Sequence, residues 1–445
     1  MATTTRSTKT NASRAVAVEV LLAVLQDGRP LDDVLSGHKG LKRLLPRDRA
    51  FARMMAATTL RRLGQIDDLI AACLERPLRR GLGEVQALLR LGACQLALLR
   101  TPAHAAIDTT VGLASGSRLE PYRALVNAVL RRLAREMDEL VAKQDVARLC
   151  TPPWLWHAWS VAYGEASARA IANVHIEEPP LDLTPRDDAD LWAGRLGARL
   201  LRTGTLRLPS GAGEIAKLPG FNRGAWWVQD AAASLPVRLL GDVAGKRVVD
   251  LCAAPGGKTA QLVEAGAEVI AVDRSEARIK PLRENLERLG LAAATVIADG
   301  REWRPPEPVD AVLLDAPCSG TGTLRRHPDI AHLKNESDIA ALTSLQDALL
   351  RAALRMVKPG GLVVYATCSL QQEEGARRIA NLLENGKTGG KETDGPTPQR
   401  VPVTAAEIGE LHEAISADGD LRTLPCHLAE DGGMDGFYAC RLKVG

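Results

Sequence analysis

Aromatic residues are scarce: four Tyr, three Phe and seven Trp, or 3% of 445 residues. A sheet that reads RNA by stacking bases on surface aromatics is therefore not expected. Cysteine is sparse too, eight in all, with no C-x-x-C and no H-E-x-x-H. That argues against zinc and against a disulfide scaffold. No apolar run approaches the ~20 residues of a membrane span. The polar start, MATTTRSTKTNASR, lacks the apolar core of a secretory signal. A cytoplasmic protein with free thiols, no metal and no membrane partner is expected. Two phosphate-binding fingerprints are missing as well. There is no G-x-G-x-x-G, and Cys252 stands where a P-loop ahead of Gly257-Lys258-Thr259 needs its first Gly.

What is present is ordinary globular composition, 46% hydrophobic and 25% charged. The length suits two or three domains at roughly 100–200 residues each. The net charge of +3 hides an asymmetry: residues 1–145 carry +8 and the remainder −5. Charge alone leaves open whether the basic part binds an anion such as nucleic acid or merely presents solvated Arg faces.

Residues 1–12 read as a disordered tail. From there to about residue 140 the period is helical, as in RAFARMMAATTLR (49–61) and VQALLRLGACQLALL (85–99). Pro30, Pro46, Pro77, Pro102 and Pro121 punctuate it. An all-α domain over 13–140 is expected. Residues 141–244 read as a connector, helical and then α+β, with Trp154, Trp156 and Trp159 as core or domain seam. From residue 245 the runs RVVDL, EVIAVD, ATVIAD, VDAVLLD and GLVVYAT alternate with helical stretches. That predicts an α/β domain over 245–445 with a mostly parallel sheet. A flexible insertion is expected at 385–398.

Ligands of such sheets bind at the carboxyl ends of the strands. Asp250, Asp273, Asp299 and Asp315 are expected there, all facing one cleft. The loop Cys252-Ala253-Ala254-Pro255-Gly256-Gly257-Lys258 follows the first strand. Its Gly-rich turn brings backbone N–H groups close to a ligand and suits a carboxylate and a ribose rather than a triphosphate. Asp273 is placed to accept ribose hydroxyls and Asp299 to bind a purine amino group. Cys318 and Cys368 follow the fourth and fifth strands. Most lone cysteines, among them Cys73, Cys94, Cys150 and Cys440, read as small buried hydrophobes. Two at neighbouring strand ends suggest thiolate chemistry. Arg325, Arg326 and His327 are either phosphate contacts or a simple basic loop.

PGGKT, the acidic strand ends, DAPCSGTGTLRRHPD (315–329) and YATCS (365–369) resemble the motif set of the NOL1/NOP2/Sun family. These are S-adenosylmethionine-dependent RNA cytosine-C5 methyltransferases. WWVQDAAASLPV (226–237) and DGFYACRLK (435–443) resemble its flanking motifs. The helical N-terminus, with VNAVLRR at 126–132, is similar to NusB-type RNA-binding domains. That pairing resembles the bacterial 16S rRNA subgroup. The resemblance covers roughly residues 12–445. It departs at Leu183-Thr184-Pro185-Arg186, where the family has an Arg-Val-Asn-like triplet, and the connector's RNA contacts stay open there.

The resemblance implies a NusB-like domain, a connector and a Rossmann-like methyltransferase domain acting on RNA; a monomer is expected. It implies Cys368 as the thiol that adds to C6 of cytosine, since C5 is too weak a nucleophile unaided. Cys318 would assist release, and Asp315 would hydrogen-bond the N3/N4 edge of the base. Lys258 would contact the cofactor or the active-site loop. A flipped base is reached most easily in a loop or an incompletely assembled RNA. Action on 16S rRNA leads, with tRNA or a non-catalytic assembly role as alternatives.

Overall fold

The computed structural model describes residues 3–387 and 398–445, with side chains over 11–384 and 398–445. The insertion expected at 385–398 lies, apart from its two ends, outside the described residues. The chain divides into two compact units, 1–178 with 324–335 and 179–323 with 336–445.

The first unit is helical over its described residues. Helix Thr3–Leu25 takes in most of the segment expected as a disordered tail, because neither Pro nor Gly interrupts it. Met1 and Ala2 lie outside the described residues. Prolines stand where helices begin, as at Leu31–Gly37, Pro46–Arg61 and Ala103–Ala114. The first turn needs no donor at those positions. Helix Gly83–Ala97 is central, with Val85, Leu88, Leu89, Ala93 and Cys94 all buried. Helix Arg123–Ala142 buries Val126, Val129, Leu130 and Leu133, one stripe at i, i+3, i+4 and i+7. Each such Leu contributes about 1.5–3 kcal/mol. Gly92 permits the close approach, since a Cβ there would meet Leu130 Cδ1 at 2.5 Å.

Trp156 and Trp159 are core residues. Trp159 meets His175 edge-on at 5.4 Å, and the guanidinium groups of Arg148 and Arg169 lie 5.1 and 5.2 Å from the Trp156 ring. Segment 324–335 belongs to this unit. Asp329 Oδ2 accepts the Leu31 N–H at 2.9 Å, His332 Nε2 donates to Leu60 O at 2.8 Å, and Arg61 Nη2 donates to Arg325 O at 3.0 Å.

The second unit holds two sheets. In the smaller, β1 (Leu181–Pro185), β2 (Arg199–Leu200), β3 (Leu206–Leu208) and β4 (Trp226–Val228) run antiparallel in the order β2-β3-β1-β4. The larger comprises β5 (Arg247–Leu251), β6 (Glu268–Asp273), β7 (Ala294–Ile297), β8 (Val309–Asp315), β9 (Val357–Thr367), β10 (Pro398–Val401), β11 (Leu421–Thr423) and β12 (Phe437–Val444). Its order is β10-β12-β9-β8-β5-β6-β7, with β11 also on β12. The run β9-β8-β5-β6-β7 is parallel. Strands β10, β11 and β12 join antiparallel. Both faces of the parallel part are covered, so its strands are apolar without alternation, as in Val248-Val249 and Val312-Leu313-Leu314. The chain runs outward from β5 through β6 to β7, then crosses back to β8. The switch point, where ligands bind in this topology, lies between β5 and β8.

The connector expected over 141–244 is not one body. Its helices up to residue 178 belong to the first unit, and its strands, with helices Ala189–Leu196 and Leu235–Arg238, belong to the second. The helix Val146–Cys150 packs against Leu63–Cys73, whereas β1 and β3 are tied to the C-terminal segment. The tie is a buried pair. Arg207 grips Asp182 with Nε–Oδ1 2.7 Å and Nη2–Oδ2 2.6 Å, and its Nη1 donates to Gly433 O at 2.6 Å. The departing residues Thr184 and Arg186 serve the same union. Thr184 Oγ1 donates to Gln229 Oε1 at 2.8 Å, and Arg186 binds Glu264 Oε2 at 2.6 Å and Leu289 O at 2.5 Å.

Candidate active site

The loop after β5 turns sharply. Cys252 has φ 65° and Gly256 φ 101°, and the Ala254–Pro255 peptide is cis. A Cβ on Gly256 would lie 2.6 Å from Leu282 Cγ, so only glycine fits. At Gly257, the first residue of helix Gly257–Glu264, a Cβ would meet nothing nearer than Gln229 at 3.8 Å. The first N–H groups of a helix have no partner within it and are available to a ligand.

Asp273 is buried at the end of β6 and supports this loop. Its Oδ2 accepts the Ala254 N–H at 3.2 Å and its Oδ1 accepts the Ser275 N–H at 3.0 Å. Asp299, two residues past β7, is gripped by Arg301 through Nε at 2.9 Å and Nη2 at 2.5 Å. That hydrogen bonding holds its carboxyl down at about 2. Asp250 departs from expectation. It is fully buried and accepts from Thr259 Oγ1 at 2.6 Å, instead of facing the cleft. Burial pushes its carboxyl up to about 7 against the opposing Thr259 bond. The cause is its place on the central strand, where neither face is open to water.

Lys258 stands at the switch point. Its Nζ lies 2.7 Å from Asp315 Oδ2 and 4.9 Å from the Phe437 ring centroid. Burial opposes its charge, but Asp315, Cys368 and Asp250 outweigh burial and raise the ammonium. It is a fixed cation at neutral pH.

The two expected thiols meet. Cys318 Sγ and Cys368 Sγ are 3.4 Å apart, although 50 residues separate them in sequence. The register explains it: Asp315 at the end of β8 pairs with Ala366 of β9, and each cysteine follows within three residues. The hydrogen bond with Cys368, then burial, then the Cys368 and Glu374 charges push the Cys318 thiol well above its ordinary value. Cys318 therefore keeps its proton. Gly322 makes room for this closure. Its N–H donates to Cys368 O at 2.9 Å, and a Cβ would fall 2.0 Å from Gly436 O.

Several residues here were not legible in sequence. Glu374 is fully buried and bonds the loops of both thiols. Gln346 donates to Pro317 O at 2.9 Å. Arg422 donates to Ser369 O at 2.6 Å, its guanidinium 5.0 Å from the Tyr438 ring. The one available signal was Cys-Ser in both loops, 318–319 and 368–369. Of the triplet read as phosphate contacts or a simple basic loop, Arg325 is fully buried in the first unit and His327 pairs with Asp32 at 3.3 Å.

A protonated thiol, a second thiol, a cation and a carboxylate at one strand edge make a site for nucleophilic addition and release. Among the described residues no three of His, Cys, Asp and Glu gather to hold a metal ion. None of the described helices is long and apolar enough to cross a membrane.

Residues 237–443 match the family model of the 16S rRNA methyltransferase RsmB/F, and residues 11–135 match the NusB family. Ribosomal RNA small subunit methyltransferase B of Vibrio cholerae is 35% identical over 91% of this chain and 97% of its own length. The Pseudomonas putida protein of that name is 37% identical over 94% and 97%. The chain belongs to the RsmB/F family. It is an S-adenosylmethionine-dependent rRNA methyltransferase with an N-terminal NusB domain. Solved structures carry the same fold. PH0851 superposes with a TM-score of 0.75 at 22% identity, over 97% of this chain and 98% of that one. NSun6 from Pyrococcus horikoshii gives 0.54 at 19% identity, over 66% and 98%.

Proposed function

We propose that this chain methylates C5 of a cytosine in 16S rRNA through a covalent adduct between Cys368 and C6 of the base. The observation that carries the reading is the thiol pair, 3.4 Å apart at the ends of adjacent strands. Paired thiols beside a carboxylate suit cytosine, whose C5 must be activated. They serve no evident purpose in methyl transfer to an amine or hydroxyl.

Cys252, Ala253, Ala254, Pro255, Gly256, Gly257 and Lys258, with Asp273, Asp299 and Asp315, would hold S-adenosylmethionine. The fit rests on the helix that starts at Gly257, right after the Gly256 turn, and on the carboxylates at or just past the ends of successive strands. The bound cofactor supplies an electrophilic methyl group. The chain's own part is to make and unmake the adduct. The Cys368 sulfur adds to C6, forming an S–C bond and moving the ring's electron pair toward C5. Asp315 accepts from the exocyclic amino group and keeps the base in place, with Lys258 holding the carboxylate. Once C5 has been alkylated, its proton passes to a water molecule, the C–H electron pair re-forms the C5–C6 double bond, and the S–C6 bond breaks with its electrons leaving on Cys368 as a thiolate. Cys318, still protonated, donates to that sulfur as it leaves.

Bisulfite sequencing of rRNA and tRNA from a strain lacking the gene, beside its parent, tests the reading. Loss of one 5-methylcytosine in 16S rRNA is expected. Loss confined to tRNA would move the substrate, and no change in either would overturn the activity.

A further inference from the structure

Each cysteine of the site is followed by a serine, and one buried carboxylate holds both serines. Glu374 Oε1 accepts the Ser319 N–H at 2.9 Å and Gln346 Nε2 at 3.0 Å. Its Oε2 accepts Ser319 Oγ at 2.5 Å and Ser369 Oγ at 2.6 Å. Four donors fill the four lone-pair sites of an ionised carboxylate. The same residue's carbonyl accepts from Tyr365 OH at 2.7 Å, which fixes the turn Gln372–Glu374 on β9. Gln346 also holds Pro317 O at 2.9 Å, so the residues on both sides of Cys318 are tied to one centre.

Glu374 is fully buried. Among the described residues no Lys, Arg or His forms an ion pair with it. A buried charge without a cation is stabilised only by its donors. Three of the four come from the serines beside the two thiols. Any change in the separation of the loops breaks a charge-assisted bond to Glu374.

We infer that Glu374 is a positioning residue that sets the distance between the Cys318 and Cys368 thiols. The inference rests on the proposed function for its effect on turnover, but the thiol geometry itself is independent of it. In Glu374→Gln the charge is lost, and the Ser319 and Ser369 hydroxyls must turn from donors into acceptors to meet the amide N–H₂, so the charge-assisted bonds that tie both loops are replaced by weaker neutral ones. The loops separate while the fold and the cofactor loop remain.

Two measurements on the full chain test this. Phenylarsine oxide bridges two thiols only when both are within reach of one arsenic atom. The wild-type chain binds it one to one, and Cys318→Ala abolishes that binding. Glu374→Gln weakens it by about tenfold or more, because the second sulfur loses its effective concentration. In parallel, kcat falls about 100-fold, the expected penalty for misplacing a reacting group by roughly 1 Å. KM for S-adenosylmethionine stays within about twofold, since the cofactor loop is untouched. Unaltered arsenical binding by Glu374→Gln overturns the inference. Weakened arsenical binding with unaltered kcat overturns the link from spacing to turnover. A wild-type chain that methylates no RNA refutes the proposed function, while the arsenical titration still decides the role of Glu374. If Glu374→Gln does not fold, Ser369→Ala decides instead. It removes one donor and keeps the charge, so weakened arsenical binding is expected and unaltered binding contradicts the inference.

Discussion

Two buried ionisable side chains, one in each unit, show opposite treatments of polarity. His175 in the helical unit has no hydrogen-bond partner for either ring nitrogen among the described residues. It is tolerated as a neutral aromatic ring packed on Trp159, and burial, then Arg325, lowers its titration to about 3. Glu374 in the sheet unit has every acceptor site filled. Packing alone explains the first, whereas the second keeps a charge where two loops must be held in register. The comparison teaches that buried polarity marks function when its partners converge on it, not merely when it is buried.

The sharpest break in that comparison is expected at the thiols. Cys368→Ala should lower turnover by about 10⁴-fold or more, as loss of a nucleophile does, while calorimetry finds S-adenosylmethionine affinity unchanged. Retained turnover would remove the nucleophile from the account. Cys318→Ala should slow release and let a protein–RNA adduct build up, visible as a band that survives denaturing electrophoresis. A variant with ordinary release would assign the retained proton no role.

Next in size is the pair under the site. Asp315→Asn leaves the Lys258 ammonium buried without its counter-charge and should cost about 2–4 kcal/mol in urea unfolding of the sheet unit. A stability equal to wild type would mean that Lys258 finds another partner.

The smallest effects are in pH dependence, and the two units should slope oppositely. His175 is lowered from 6.5 to about 3. The unfolded chain therefore binds the proton first, and the helical unit loses stability as pH falls below about 6.5. The slope is up to about 1.4 kcal/mol per pH unit. Asp250 is raised from 3.8 to about 7, so here the folded state binds the proton first. Its contribution is full at acid pH and is lost as pH rises toward about 7, with the same limiting slope. Unfolding followed by probes in each unit, from pH 4 to 7, checks both signs. His175→Phe should flatten the first slope and Asp250→Asn the second.

The sequence made some of this legible because the signals were local. Strands of a covered parallel sheet are apolar on both faces, so β5, β6, β8 and β9 stood out. The Gly-rich loop and the two Cys-Ser loops are short-range motifs at strand ends. Register then placed Cys318 beside Cys368. The misses all depended on packing from afar. Nothing local distinguishes Glu374 from Glu373; the turn Gln372–Glu374 and Tyr365 decide which one points inward. Asp250 has the look of a cleft carboxylate, but the central strand buries it. Segment 324–335 reads as a basic loop, yet Asp329 and His332 bind it to the helical unit. The connector was expected as one body because its helices and strands are contiguous in sequence. The helices before residue 179 and the strands after it have their apolar faces in different cores.

The most direct test of the central claim is to trap the adduct and find its sulfur. Full-length chain is incubated with S-adenosylmethionine and 16S rRNA carrying 5-fluorocytidine, which cannot lose a proton from C5. Digestion and mass spectrometry then locate the bound nucleotide. The account predicts it on the peptide that contains Cys368. A nucleotide on Cys318, or no adduct with an RNA the chain methylates, would contradict it.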